Sequence, residues 1–193
     1  MSITDIKRAL IVVDVQNETI DASKSAGIPV VAVQHFFPST FPVFAPDTHG
    51  VELHPVVTSR GYDHLVKKGK ASSFVDTDLK EYLLSKGVNT ITIVGYMTHN
   101  CNTATALQAA HEGLFNVEFI SDASGSLPYS NSAGSATAEE IHRAFTVVLH
   151  SAFAAVITTD QWLSLVSSKQ AAKPGNIVES YMQGMALASG SRK

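Results

Sequence analysis

At 193 residues, with 45% hydrophobic and 16% charged side chains and a formal net charge of −3, the chain has the length and balance of one domain around one sizeable core. That balance excludes a strongly basic nucleic-acid binder and a disordered acidic chain. No apolar run approaches the roughly 20 residues that span a bilayer, the opening MSITDIKRAL lacks the features of a secretory signal, and a single cysteine cannot form an intramolecular disulfide. The expectation is a cytoplasmic protein with neither nucleic acid nor a membrane as partner.

Short β-branched runs recur along the chain and helix-type stretches separate most of them, the alternation of a parallel sheet covered by helices. Strands are predicted at Ala9 to Val13, Pro29 to Val33, His64 to Val66, Thr90 to Val94, Val117 to Ile120 and Ala154 to Thr158. Their near-continuous apolar character predicts burial on both faces. Between the first two strands only DVQNETIDASKSAGI is available, and a parallel crossover ordinarily needs a dozen or more residues with a proper helix. Either this unit is trimmed or a piece between about Glu18 and Ala22 is missing.

The second and third strands are joined by a long aromatic, proline-punctuated loop, FFPSTFPVFAPDTHGVELHP. A loop of this length inside a compact domain is usually functional, and this one is apolar enough to wall a pocket. Helices are predicted over Asp78 to Ser85 and Asn102 to Gly113. A third, TAEEIHRAFTVVLHSAF, has capping-box spacing at Thr137 and Glu140 and an apolar face at Ile141, Ala144, Phe145, Val148 and Leu149. After Thr159 a short helix, DQWLSLV, closes a domain assigned to residues 1–168. Residues 169–193 form a tail or a helical arm, with Ile177, Tyr181 and Met185 at i, i+4 and i+8, suited to packing on a neighbouring subunit.

Ligands of open parallel sheets bind outside the carboxyl ends of the strands. Three polar features follow strand runs: Asp14 after ALIVV, the pair Lys67 and Lys68 after HLV, and Cys101 past TITIVGYM at the opening of a helix. Singly, each has a plain structural reading. Asp is a common turn residue, lysines are mostly solvated, and a lone cysteine often serves as a small buried hydrophobe. Together at one sheet edge they meet the requirement for an activated nucleophile. The helix terminus and an ammonium favour a thiolate, and a carboxylate accepts its proton. The GYMTHNC bend offers backbone donors for a developing oxyanion, those of Met97 and Cys101 being the natural pair.

The segments VVDVQN, KKGKASSFVDTDL and VGYMTHNCNTATALQAA resemble motifs of the isochorismatase-like cysteine hydrolases, a superfamily that includes nicotinamidases and N-carbamoylsarcosine amidohydrolase. The likeness runs from about Ala9 to Thr159. It implies a three-layer α/β sandwich with a six-stranded, mainly parallel sheet, a catalytic triad of Asp14, Lys68 and Cys101, and a homo-oligomer, dimer or tetramer. The family pattern K-x-x-x-S-x-F, counted back from Phe74, selects Lys68 over Lys67 and Lys70. The family also has a cis peptide that here falls between Tyr96 and Met97, turning the Met97 N–H into an oxyanion-hole donor.

A cysteine at position 101 favours hydrolysis of a C–N bond in a small amide, carbamoyl or ureido compound. The alternatives are an isochorismatase-type vinyl-ether hydrolase, a branch with glycine at that position but a histidine matching His99, and a non-catalytic or redox-sensing member of the fold. Nicotinamidases bind a metal through a D-x-H motif. QHFFPSTFPVF has none, and His35, His49, His54 and His64 are scattered, so no metal and no other cofactor is expected. Gln16, Asn17, His35, Phe36, Phe44, Tyr96 and His99 follow strand ends or lie in the apolar loop and are expected to contact a small-molecule substrate; the phenylalanines are equally suited to packing. Ser126 in DASGSLP lacks the G-x-S-x-G surroundings of a serine nucleophile.

Overall fold

The alternating apolar and amphipathic segments build a three-layer α/β sandwich in the computed structural model, which describes residues 5–13 and 17–190, without the side chains of residues 17, 18 and 190. In chain order the elements are β1 (Arg8–Val13), α1 (Asn17–Ser25), β2 (Val30–His35), a 3-10 turn (His49–Val51), α2 (Pro55–Arg60), β3 (His64–Lys68), α3 (Leu79–Ser85), β4 (Thr90–Tyr96), a π-helical turn (Thr98–Asn102), α4 (Thr103–Glu112), β5 (Asn116–Gly125), β6 (Tyr129–Asn131), β7 (Gly134–Ala136), α5 (Ala138–Ala152), β8 (Ala155–Ile157), α6 (Thr159–Ser167) and α7 (Ile177–Gly190). Six strands form one sheet in the order β3-β2-β1-β4-β5-β8, and every pairing in it is parallel. The small hairpin of β6 and β7 stands apart; nothing apolar in YSNSAGSA announces it, and its turn rests on Asn131, whose side chain accepts from the Ala133 N–H.

All six expected strands are present, and several run further toward their carboxyl ends than their apolar stretches suggest. Pairing continues through polar residues once a neighbour supplies the ladder, so His35 lies opposite Lys68 and Tyr96 opposite Gly125. Alternation along β1 divides the core. Ala9, Ile11 and Val13 pack with Leu79 and Leu83 of α3, Ala106 and Ala109 of α4 and Leu149 of α5. Leu10 and Val12 face Ile20 of α1, Val57 of α2 and Trp162 of α6. The short link after β1 holds a nine-residue α1 with Ile20 buried, so a trimmed helix makes the crossover.

Two helices differ from their sequence patterns. In α5 the capping box of Thr137 and Glu140 forms as expected, yet Ala144 is exposed and Val148 is 55% exposed; the inward line runs instead through Ile141, His142, Phe145 and Leu149. The helix expected from Asn102 begins with a π turn five residues long, Thr98–Asn102, before α4 proper. It ends at Gly113, which adopts the left-handed conformation of a helix C-cap. In α7, Ile177, Tyr181 and Met185 are all at least half exposed.

One buried polar network fixes the far end of the sheet. The Arg8 guanidinium is bidentate on Glu118, at 3.0 Å through Nε and 2.9 Å through Nη2. Glu118 also accepts from Thr92 Oγ1 and the Ala172 N–H, while Thr92 accepts from Trp162 Nε1. A buried ion pair persists only when its remaining hydrogen-bonding capacity is met, and here the partners tie the segment after α6 to β5. Among the described residues, no helix is long and apolar enough to cross a membrane.

Candidate active site

The site lies where β2, β3 and β4 end. In β3 the side chains alternate, so Val66 and Lys68 are buried while Lys67 is exposed. Lys67 lies over the Phe36 ring, and Lys68 turns inward with only 3% exposure. Its Nζ is 2.9 Å from His35 Nδ1, 2.9 Å from the Lys70 carbonyl, 3.0 Å from the Ala71 carbonyl and 3.1 Å from Cys101 Sγ. Carbonyl oxygens only accept, so the lysine is held as a donor. An ammonium has three N–H groups for these four acceptors, and with two on carbonyls the third is shared between imidazole and sulfur.

That sharing defines the state of His35. Burial, and then the neighbouring Lys68 charge, push its pKa from 6.5 down to about 4. The imidazole is therefore neutral at pH 7 and accepts at Nδ1, which leaves its proton on Nε2. His35 Nδ1 is 3.9 Å from Cys101 Sγ, so lysine, histidine and thiol form one compact group.

The cysteine is placed by the π turn. The Met97 carbonyl accepts from the N–H groups of Asn100 and Asn102, and the Thr98 carbonyl accepts from Thr103, an i+5 winding that is often found at functional sites. Neither bond on Met97 uses the N–H of Met97 or Cys101, the two donors expected for an oxyanion. The Tyr96–Met97 peptide is cis. Side chains pin the turn to the sheet: Asn102 Nδ2 donates to the Gly95 carbonyl at 2.9 Å, and Thr98 Oγ1 donates to the Gly125 carbonyl at 3.0 Å. Gly95 has a φ of 107°, and a Cβ there would lie 1.5 Å from the Val13 carbonyl oxygen. Only glycine permits β4 to pass this close to the end of β1.

A cavity of about 720 Å³ opens over the thiol. Cys101, Met97, Asn100 and Tyr96 contribute from the β4 end, His35, Phe37, Val43 and Phe44 from β2 and the long loop, and Leu53, His54, Pro55 and Leu127 complete it together with His49 and Glu52. The loop closes on itself through the Phe37 N–H, which donates to the Phe44 carbonyl. Its rings cluster, with Phe37 4.5 Å from His35 and 4.9 Å from Phe41 between centroids. Tyr96 lies flat across Gly125, where a Cβ would come within 2.8 Å of the ring.

Of the residues singled out from sequence, Lys68 and Cys101 meet, and His35, Phe44, Tyr96, Met97 and Cys101 line the cavity. Asp14 and Gln16 lie outside the described residues, as does the side chain of Asn17, whose backbone opens α1. Two expected substrate contacts are not among the residues that line the cavity. Phe36, one residue past His35, falls on the opposite side of the chain and sits under Lys67. His99 is turned away from the cavity, with Nδ1 3.0 Å from Ser126 Oγ and its ring edge-on to Tyr129; burial lowers its pKa. Ser126 is thereby engaged in packing the π turn. Sequence reading gave the loop of Phe37, Val43, Leu53 and Pro55 as a pocket wall without singling these residues out, and missed Leu127. Period-two alternation from His35 signals Phe37, whereas Leu127 arrives from a stretch that reads only as a turn.

No group of three or more His, Cys, Asp or Glu side chains among the described residues is arranged to hold a metal ion. The Nδ1 of His35 already accepts from an ammonium 2.9 Å away, which would repel a cation at that nitrogen.

A thiol 3.1 Å from a buried lysine, at the carboxyl edge of a parallel sheet and under a cavity, is an arrangement that can hold a nucleophile. Residues 5–161 match the Isochorismatase domain model, and the chain belongs to the isochorismatase family of hydrolases. It is 44% identical to a chain from Burkholderia xenovorans LB400 whose crystal structure carries the provisional description isochorismatase, with a TM-score of 0.90 over 96% of this chain and 100% of that one. The uncharacterized isochorismatase family protein YddQ of Bacillus subtilis is 29% identical over 177 residues, covering 80% of this chain and 98% of that protein. Nicotinamidase 3 of Arabidopsis thaliana is 28% identical over 188 residues, covering 79% of this chain and 85% of that protein.

Proposed function

We propose that this protein is a cysteine hydrolase that cleaves a C–N bond of a small amide, carbamoyl or ureido compound through a thioester on Cys101. The observation that carries the reading is the Lys68 ammonium 3.1 Å from Cys101 Sγ, because an adjacent cation stabilises the thiolate form of a nucleophile. The name of Nicotinamidase 3 points to an amide as that relative's substrate and supports the same chemistry here.

In the proposed sequence, the Asp14 carboxylate takes the thiol proton and the thiolate attacks the carbonyl carbon. The carbonyl π pair moves to oxygen, where the N–H groups of Met97 and Cys101 receive it. Collapse of the tetrahedral species breaks the C–N bond, and Asp14 returns its proton to the leaving nitrogen. Water then attacks the thioester with Asp14 as base, the C–S bond breaks, and the acid leaves as the thiol is restored. Lys68 keeps its proton throughout and steadies sulfur while it is negative. One water is consumed and one amine, or ammonia, is released.

The test is a screen of small carboxamides and ureido compounds read by ammonia release, with Asp14→Asn in parallel. The expected result is turnover by the wild type and its loss in the variant. Substantial turnover retained by Asp14→Asn overturns the assigned proton transfers. Activity on isochorismate, with none on any amide, overturns the C–N assignment in favour of vinyl-ether hydrolysis.

A further inference from the structure

Among the described residues, the lining of the cavity over Cys101 carries little charge. No lysine or arginine is among its described lining residues, whereas Phe37, Phe44, Val43, Leu53, Tyr96 and Leu127 are. Lys68, beside the thiol, lies buried with four protein acceptors around its three N–H groups, and has no donor left for a ligand. His35 is neutral at pH 7, its pKa lowered to about 4 by burial and by Lys68. At the exposed mouth, Glu52 is the one carboxylate among the described lining residues, 2.9 Å from His49 Nδ1, and it adds nothing that attracts an anion.

A carboxylate or phosphate brought into such a cavity loses its water and meets no lysine or arginine among the described lining residues, and burying a charge without a paired one is costly. An aryl or alkyl group gains on entry, and 720 Å³ is in the middle of the range that encloses drug-sized ligands. We infer that the substrates are uncharged carboxamides bearing a bulky apolar group, and that anionic compounds are rejected. The inference rests on the proposed C–N hydrolysis and names the substrate class for that same site.

The test separates the two. Cys101 is the only thiol of the chain, so its alkylation by iodoacetamide, N-butyl-iodoacetamide, N-hexyl-iodoacetamide and 6-iodoacetamidohexanoate is followed by intact mass, each rate divided by that of glutathione. The reacting group is the same in all four. Ammonia release from acetamide, butyramide, hexanamide and adipamate runs alongside.

The expected alkylation rate rises by up to about four-fold per buried methylene, the terminal carboxylate lowers it at least ten-fold relative to the hexyl reagent, and hydrolysis follows the same order. Phe44→Ala and Leu127→Ala each flatten the rise; Leu127 is half exposed, which keeps one variant clear of folding effects. A flat series, or a carboxylate reagent as fast as the hexyl one, overturns the inference even if amides are hydrolysed. The expected order in alkylation with no amide hydrolysed sustains the apolar, anion-rejecting cavity and overturns the hydrolase reading instead.

Discussion

Replacing Lys68 with methionine keeps most of the side-chain stem and removes the ammonium. At 3.1 Å from Cys101 Sγ, an ammonium attracts a thiolate by about 5 kcal/mol at an effective dielectric of ~20, which is an upper bound. The net value of a hydrogen bond to a charged partner is smaller, about 1.5–3 kcal/mol, and it corresponds to a loss of about ten- to a hundred-fold in thiolate reactivity at neutral pH. The assay is the rate of Cys101 alkylation by iodoacetamide at pH 7, with no other thiol in the chain to interfere. Lys67→Met is the control, since Lys67 is exposed and lies over Phe36, and its rate is expected to stay within about two-fold of wild type on the modest scale of surface charge effects.

Lys68→Met also strips the Lys70 and Ala71 carbonyls of a donor, a cost of about 1–3 kcal/mol for a buried unsatisfied group. Urea unfolding is therefore measured on the same sample. A folded Lys68→Met protein that alkylates as fast as wild type refutes the reasoning, because the ammonium would then have no hold on the sulfur.

Other outcomes follow from the same geometry. His35 is expected to remain neutral, with its proton on Nε2, down to pH values near 4 in ¹H–¹⁵N NMR; titration at its ordinary value of 6.5 would contradict the shared Lys68 proton. A histidine with a lowered folded pKa stabilises the fold above its unfolded value and loses that contribution as pH falls through the folded one. Thermal stability should thus decline between about pH 6.5 and 4, and His35→Gln should lessen the decline. Gly95→Ala places a Cβ against the Val13 carbonyl at a φ of 107°, and is expected to cost at least about 3 kcal/mol in urea unfolding; a loss below about 1 kcal/mol would show that β1 and β4 yield there.

Much of this architecture is legible in the residues because buried parallel strands announce themselves by apolar and β-branched runs, as in Ala9–Val13 and Thr90–Val94. Strand ends are less legible: His35 and Lys68 are polar, and only pairing with each other carries β2 and β3 that far. The choice of Lys68 over Lys67 comes from the family pattern counted back from Phe74; in the structure, alternation along HLVKK puts Lys68 on the same side as Val66 and leaves Lys67 exposed. His99 defeats a reading by proximity, since it lies two positions before Cys101 within one π-helical turn, and that part-turn directs its ring to Ser126. Leu127 and the β6–β7 hairpin are set by tertiary placement of a polar stretch, for which neither periodicity nor turn chemistry gives a signal.

Cys101 as nucleophile is the centre of the account, and its replacement by alanine tests it most directly. On the best amide found, with ammonia release as the readout and the fold checked by unfolding, Cys101→Ala should lose at least about a thousand-fold in turnover, as removal of an attacking nucleophile does. A folded Cys101→Ala protein that keeps a substantial fraction of wild-type turnover would contradict a thioester mechanism and leave the Lys68–Cys101 contact without a catalytic role.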